Sequence, residues 1–381
     1  MITITPLPAW GSLLAPLTGA AATDVKLAEP WLAPGSGDVQ AVWFSRAAWA
    51  MQALVRWRQS LNGGEKPRLW LPGYFCNQST FPAREAGARI VFYPVDMDLA
   101  PDWAQCRRMA AEAPPDLFIL VHYFGAPADA AEAKAFCRET GALLVEDAAH
   151  VLRPVQGVGE KGDFVFYSPH KVLAVPDGAL LLMRNKDGED IIRAAAAGDS
   201  SRSGPWPGPW LAKRALQKVL PGPLLSRRAR ARRPAFLDDP PYQALPPAPR
   251  MSAMARAMLA GAAPSLASSL AVAAQARRDN WQVLRRSLDG LPACRPLEIY
   301  NDAAPYRFVL RCDDPETAAA LFADFHRRGC PAESWPDLPG EVLADPELHK
   351  AALHLRRTLV MLPVHQTAAA GELVSCCGNK N

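Results

Sequence analysis

A chain of 381 residues that is 49% hydrophobic and 21% charged folds into at most two or three domains, which excludes a disordered chain and a single small module. A formal net charge of +4 is too small for a dedicated nucleic-acid binder, so no nucleic-acid partner is expected. Eight cysteines contain no CxxC pair and never cluster with histidines at ligand spacing, so no disulfide framework, redox motif or metal site is expected.

Residues 1–40 form an N-terminal segment without a basic stretch ahead of an apolar core. A secretory signal is not expected there, and the expected compartment is the cytoplasm. Over 41–197, short apolar runs read as buried strands at Arg68–Leu71, Arg89–Tyr93, Leu117–His122, Ala142–Glu146, Phe164–Tyr167 and Ala179–Met183. Helical patterns lie between the earlier ones, at Arg46–Gln59, Asn77–Ala86, Asp102–Ala113 and Asp129–Thr140. This alternation predicts an α/β domain with a mostly parallel sheet, and the short interval between the last two strands predicts a local hairpin.

Residues 198–250 carry eleven prolines and predict a surface excursion without a long helix. Arg227, Arg228, Arg230, Arg232 and Arg233 lie in it, near Trp206, Trp210, Leu224 and Leu225. Such a tract reads either as a solvated basic loop or as a weak contact, through 206–233, with a membrane surface or with substrate phosphates. Over 251–381 a long helical tract runs to Leu288 with a break near Pro264, and Arg256 and Pro264 exclude an ordinary membrane-spanning helix. Strand candidates Tyr306–Arg311 and Thr358–Leu362 and a helix at Pro315–Arg328 complete a small C-terminal α+β domain.

The chemistry concentrates in Leu143–Met183. One strand ends in Glu146-Asp147 and another in Ser168-Pro169-His170-Lys171, which sets a carboxylate and an amine at one rim of the sheet, where ligands of such sheets bind. A lysine in such a pocket can form a Schiff base with an aldehyde. Taken singly, each residue has a plainer reading: Asp147 and Ser45 as helix caps, Lys171 as a surface lysine, His150 and His122 as satisfied polar groups. For His122 that plainer reading is kept.

Six segments in order carry a family likeness: LPGYFC at 71–76 followed by EAGA at 85–88, VHYFGAPAD at 121–129, VEDAAH at 145–150, SPHK at 168–171, RMSAMARAMLAG at 250–261 and LPVHQ at 362–366. Together they resemble the DegT/DnrJ/EryC1/StrS sugar aminotransferases, a group of fold-type-I pyridoxal-phosphate enzymes. The resemblance implies pyridoxal 5'-phosphate as cofactor. It implies Lys171 as the lysine that binds the cofactor's aldehyde and then moves protons, Asp147 as the partner of the ring nitrogen, and His150 beside the phenolic oxygen. Ser168, with His170 nearby, and Ser45 with Arg46 would hold the phosphate, and Tyr74 would stack on the ring. It further implies a homodimer, and amino transfer from an amino acid, glutamate by likeness, to a keto sugar, nucleotide-linked, for surface polysaccharide or secondary-metabolite synthesis. The alternatives are a lyase, dehydratase or desulfurase-like enzyme on the same scaffold, with Cys76 or Cys330 as nucleophile, or a non-enzymatic protein of this fold at a membrane surface. The chain departs from the family in a short interval between aspartate and lysine, in the turn after Lys171, in Cys76 at the usual aromatic position, and in Ala248 where an asparagine reaches the partner subunit.

Overall fold

A computed structural model describes residues 2–17, 19–33, 37–198, 207–219, 236, 248–298 and 302–378. Ten strands are seen among these: β1 (Gln40–Phe44), β2 (Arg68–Pro72), β3 (Arg89–Tyr93), β4 (Leu117–Val121), β5 (Leu143–Ala148), β6 (Phe164–Tyr167), β7 (Ala179–Met183), β8 (Cys294–Pro296), β9 (Arg307–Cys312) and β10 (Leu359–Pro363). The first seven make one sheet in the order β1-β7-β6-β5-β4-β2-β3, and the last three a second in the order β10-β9-β8.

Strands β2 to β6 pair in parallel, whereas β7 is antiparallel to both β6 and β1. β6 and β7 are thus the expected hairpin, and the carboxyl end of β1 lies at the same rim as those of β5 and β6. Every residue of β4 and β7 is buried, as strands covered on both faces require. Alternation along β1 sends Val42 and Phe44 into one core and Trp43 into the other. The first core packs the helices Ala47–Leu61 and Ala130–Thr140 through Trp57 and Phe136; the second holds Trp31, Val165, Leu180 and the helix Ala253–Ala262 through Met258 and Leu259.

The helix Leu266–Ser287 joins the two sheets. Its buried residues Leu266, Leu270, Ala273, Ala274, Arg277, Asn280, Trp281 and Leu284 follow a 3.6-residue period. Leu270 packs in the core beneath the large sheet, and Trp281 and Leu284 in the core of the small one. Pro264 does not break the run, because it sits in the first turn of a short 3-10 segment, Ala263–Ser265, where its missing N–H is not needed. Ala253–Ser287 is therefore one helical tract long and apolar enough to cross a membrane by length and composition, contrary to the exclusion drawn from Arg256 and Pro264.

The excursion also differs from expectation. Pro209 falls in the first turn of a helix, Gly208–Val219, which occupies the proline-free stretch before Pro221. The arginines from 227 to 233 lie outside the described residues. Cys330 and Cys377 form a disulfide, and Cys376 Sγ lies 3.3 Å from Cys377 Sγ, so the fold gathers cysteines that are far apart in sequence. The sulfur atoms of all three lie within 4.8 Å of one another, where sequence spacing predicted no cluster.

Candidate active site

A cavity of about 300 Å³ opens at the carboxyl ends of β5 and β6. Asp147 comes from the last turn of β5, where the pleat sends Glu146 to the opposite face. Glu146 is fully buried and accepts hydrogen bonds from His122 Nε2 (2.9 Å) and from the backbone N–H groups of Gly159 (2.6 Å), Lys161 (2.8 Å) and Gly162 (2.5 Å). Burial pushes its carboxyl up, and these bonds more than offset that, leaving its pKa below the usual value. His122 is thus a satisfied structural residue, its Nδ1 accepting from Ala128 N–H at 2.9 Å. Glu146→Ala would strand these donors in the interior and is expected to destabilise the fold by about 3–5 kcal/mol. Urea unfolding checks this; a change below about 0.5 kcal/mol contradicts it.

Asp147 accepts from Ala149 N–H (2.9 Å) and lines the cavity. Burial raises its pKa, with partial relief from Lys171. Lys171 leaves the short helix Pro169–Val172 that follows β6, and its Nζ stands 3.5 Å from His150 Nε2. The His150 ring accepts at Nδ1 from Phe124 N–H (3.4 Å), so Nε2 carries the hydrogen that faces Lys171. Phe124 reaches this geometry at a φ of 54°. Burial, then the charges of Lys171 and Arg307, hold His150 well below its ordinary pKa, in the neutral form.

His150 is the centre of a stack. Tyr306 lies parallel to it at 4.3 Å, the Arg307 guanidinium sits 4.0 Å from the centre of the Tyr306 ring, and Phe124 covers the other face. His170 lines the cavity and holds the Gly178 carbonyl through Nδ1 at 3.0 Å; burial, then Arg46, depress its pKa strongly. Ser168 lines the cavity with a buried Oγ that has no hydrogen-bond partner.

Arg46 caps the 15-residue helix Ala47–Leu61, and Arg46, Ala47 and Ala48 line the cavity. Its guanidinium donates to the carbonyls of Ser45 (2.8 Å) and Pro176 (3.4 Å), and burial lowers its pKa against the pull of Asp177.

Two expected residues are not on the wall. Ser45 is buried with its hydroxyl donating to the Ala248 carbonyl, while its N–H bonds Pro249 O at 2.7 Å, so it ties β1 to the chain before Arg250. Tyr74 is fully buried behind Trp335, stacked on it at 4.4 Å, because the β2 exit turns Phe75 and Cys76 toward the cavity instead. The wall also holds residues that sequence patterning did not identify: Gln78, Ser79, Tyr306, Arg307, Glu333 and Trp335. Local pattern could have pointed to Arg307 alone, a charged residue directly ahead of the buried apolar run Phe308–Leu310.

Residues 76–204 match the model of the DegT/DnrJ/EryC1/StrS aminotransferase family, a span that includes Asp147, His150, Ser168 and Lys171. No curated protein matches the chain. Among solved structures, Helicobacter pylori PseC, an aminotransferase involved in the biosynthesis of pseudoaminic acid, is 12% identical with a TM-score of 0.70 over 98% of this chain and 96% of its own. The aminotransferase TlmJ from Streptoalloteichus hindustanus is 18% identical with a TM-score of 0.67, covering 99% and 97%. DesI, solved in the presence of its TDP-sugar product, is 16% identical with a TM-score of 0.67, covering 98% and 90%.

The side chains of the cavity fit pyridoxal phosphate. A buried hydroxyl without a partner, as at Ser168, costs stability until a ligand oxygen meets it. Arg46 and the first turn of a long helix suit a phosphate, and a buried carboxylate suits a protonated ring nitrogen. The segment 76–204 thus matches the DegT/DnrJ/EryC1/StrS aminotransferase family, and the chain has the fold of the aminotransferases PseC, TlmJ and DesI.

Proposed function

We propose that the enzyme moves an amino group from an amino acid, with glutamate the expected donor, to the ketone of a nucleotide-linked sugar. The observation that carries this reading is the convergence of Lys171, Asp147, His150 and Ser168 on one cavity. PseC, involved in the biosynthesis of pseudoaminic acid, and DesI, solved in the presence of its TDP-sugar product, favour a sugar acceptor.

When bound, pyridoxal phosphate supplies an aldehyde that captures primary amines and a ring that accepts the electrons of a breaking C–H bond. Lys171 would hold the aldehyde between turnovers and, once displaced by a substrate amine, carry the proton between the two carbon atoms involved. Asp147, enclosed apart from the cavity, would keep the ring nitrogen protonated. His150 presents an N–H from Nε2 and would donate it to the phenolic oxygen. Ser168 and Arg46, with the N–H groups at the start of the helix Ala47–Leu61, would hold the phosphate. A homodimer is proposed from the family likeness, and the cytoplasm as its compartment.

Desulfurase-like chemistry has no comparable support. Cys330 is bonded to Cys377, and burial raises the pKa of the Cys76 thiol on the cavity wall, which disfavours a thiolate nucleophile there. Glutamate added to the cofactor-loaded enzyme without an acceptor is expected to release about one 2-oxoglutarate per active site. Release of a smaller fragment with no keto acid would reject amino transfer.

A further inference from the structure

We propose that Cys294 and Cys312 are oxidised to a cross-strand disulfide by a small-molecule disulfide such as oxidised glutathione. The bond fastens β8 to the small sheet. The two residues are 18 positions apart in sequence and sit directly opposite each other where β8 pairs antiparallel with β9. Directly opposite residues of such a pair have Cα atoms about 4.5–5.5 Å apart, inside the range a disulfide spans. The sulfur atoms stand 2.7 Å apart, within about 1 Å of the bonded separation. Cys294 is half-buried and so open to a reagent, whereas Cys312 is buried behind it. An accessible thiol beside a buried resolving one is the arrangement that reversible oxidation requires.

The two thiols differ in reactivity. An ionised Cys294 can accept from the Cys312 S–H, which holds its pKa below the ordinary thiol value against burial and the charges of Asp313 and Asp314. The same contact, with burial, pushes Cys312 up. The other cysteines lack this combination. Burial raises the pKa of Cys76, that of Cys106 and Cys137 to about 12 and that of Cys376 to about 11, and Cys330 and Cys377 are already bonded to each other. The Cys294 thiolate attacks one sulfur of oxidised glutathione, and one glutathione leaves. Cys312 then attacks Cys294 Sγ and expels the second glutathione. Two cysteine thiols are oxidised, one external disulfide is reduced to two thiols, and the protons of the cysteines end on the two glutathione sulfurs.

β8 is otherwise weakly held. It is a three-residue strand at the edge of its sheet, and Pro296 brings no N–H to the ladder. Arg295 lies directly opposite Arg311, a like-charge pair that opposes the pairing. Ala293, the residue before the strand, holds a φ of 58°. Arg295, Pro296, Leu297 and Glu298 form part of the wall of a second cavity of about 1260 Å³, and Arg307 lies in the wall of both cavities. The disulfide therefore fixes one side of a space that adjoins the candidate active site.

The test starts from the full-length, cofactor-loaded protein reduced with dithiothreitol and desalted. It is equilibrated with oxidised glutathione, its free thiols are alkylated, and its peptides are mapped by mass without reduction. The expected product is a peptide pair linked through Cys294 and Cys312, with Cys106 and Cys137 alkylated. Cys312→Ser should stop at one glutathione on Cys294, and Cys294→Ser should leave Cys312 free of glutathione. Amide exchange at Leu297, whose N–H donates to the Val309 carbonyl at 2.8 Å, should slow at least about tenfold in the oxidised form. Recovery of both cysteines as alkylated thiols, linkage of Cys294 to any other cysteine, or glutathione taken up by Cys312 in Cys294→Ser would overturn the assignment. Equal exchange at Leu297 in the reduced and oxidised proteins would overturn the fastening of β8.

Discussion

Lys171→Ala is expected to lower the rate of amino transfer by at least about 10³-fold while leaving the fold intact. Two functions are lost together: capture of the aldehyde, and proton movement in the transition state, the second alone accounting for about 10²–10⁴-fold in typical enzymes. Stability should be little affected, because the closest polar approach of the side chain among the described residues is the 3.5 Å contact with His150 Nε2. Single-turnover keto-acid formation checks the rate, and a thermal melt of the apoprotein checks the fold. A variant retaining a tenth of wild-type turnover would exclude Lys171 from both roles. A variant that is inactive because it is unfolded would show that the short helix Pro169–Val172 depends on the lysine, contrary to its contacts.

Asp147→Asn is expected to act in opposite directions on stability and activity. Burial raises the pKa of this carboxyl in the folded protein, and the nearby charge of Lys171 offsets it only in part. For a carboxyl raised on folding, the ionised form costs stability. That cost is absent at pH below the unfolded-state pKa, grows as pH rises to the folded-state pKa, and is constant above it. The asparagine variant escapes the cost, so its apoprotein should melt higher than wild type at neutral pH, and the difference should shrink as pH falls through the weakly acidic range. Amino transfer should meanwhile drop at least about 10²-fold, the scale of losing one preorganised electrostatic partner. Stability carried in reserve against function in this way is common at active sites. A variant that is less stable than wild type across this range would place Asp147 among the structural carboxylates, as Glu146 is.

The neighbouring pair Glu146 and Asp147 illustrates how far local pattern reaches. A run of apolar residues ending in two acids fixes a strand and its rim, yet only the pleat decides which acid meets the cavity and which meets His122 and the 159–162 loop. The strands from Arg68 to Met183 were legible because parallel strands buried on both faces are continuous apolar runs. β1 was not, since its partner β7 lies more than a hundred residues later and pairing across that distance leaves no local mark. Ser45 illustrates the same limit: a hydroxyl next to a helix start suits a phosphate, but the carbonyl of Ala248, delivered by the chain before Arg250, takes it. Trp335, Glu333 and Arg307 reach the cavity from the C-terminal part of the chain through the small sheet and the bridge between Glu333 and Met361. Tyr74 was displaced by Trp335 for that reason, the ring from the distant segment standing between it and the cavity.

The measurement that bears most directly on this account is borohydride reduction of the pyridoxal-phosphate-loaded protein followed by proteolysis and mass mapping. A phosphopyridoxyl group on the peptide containing Lys171, at close to one per chain, is the predicted result. A protein that remains colourless with added cofactor, or a label confined to any other lysine, would contradict the assignment of the cavity at the ends of β5 and β6.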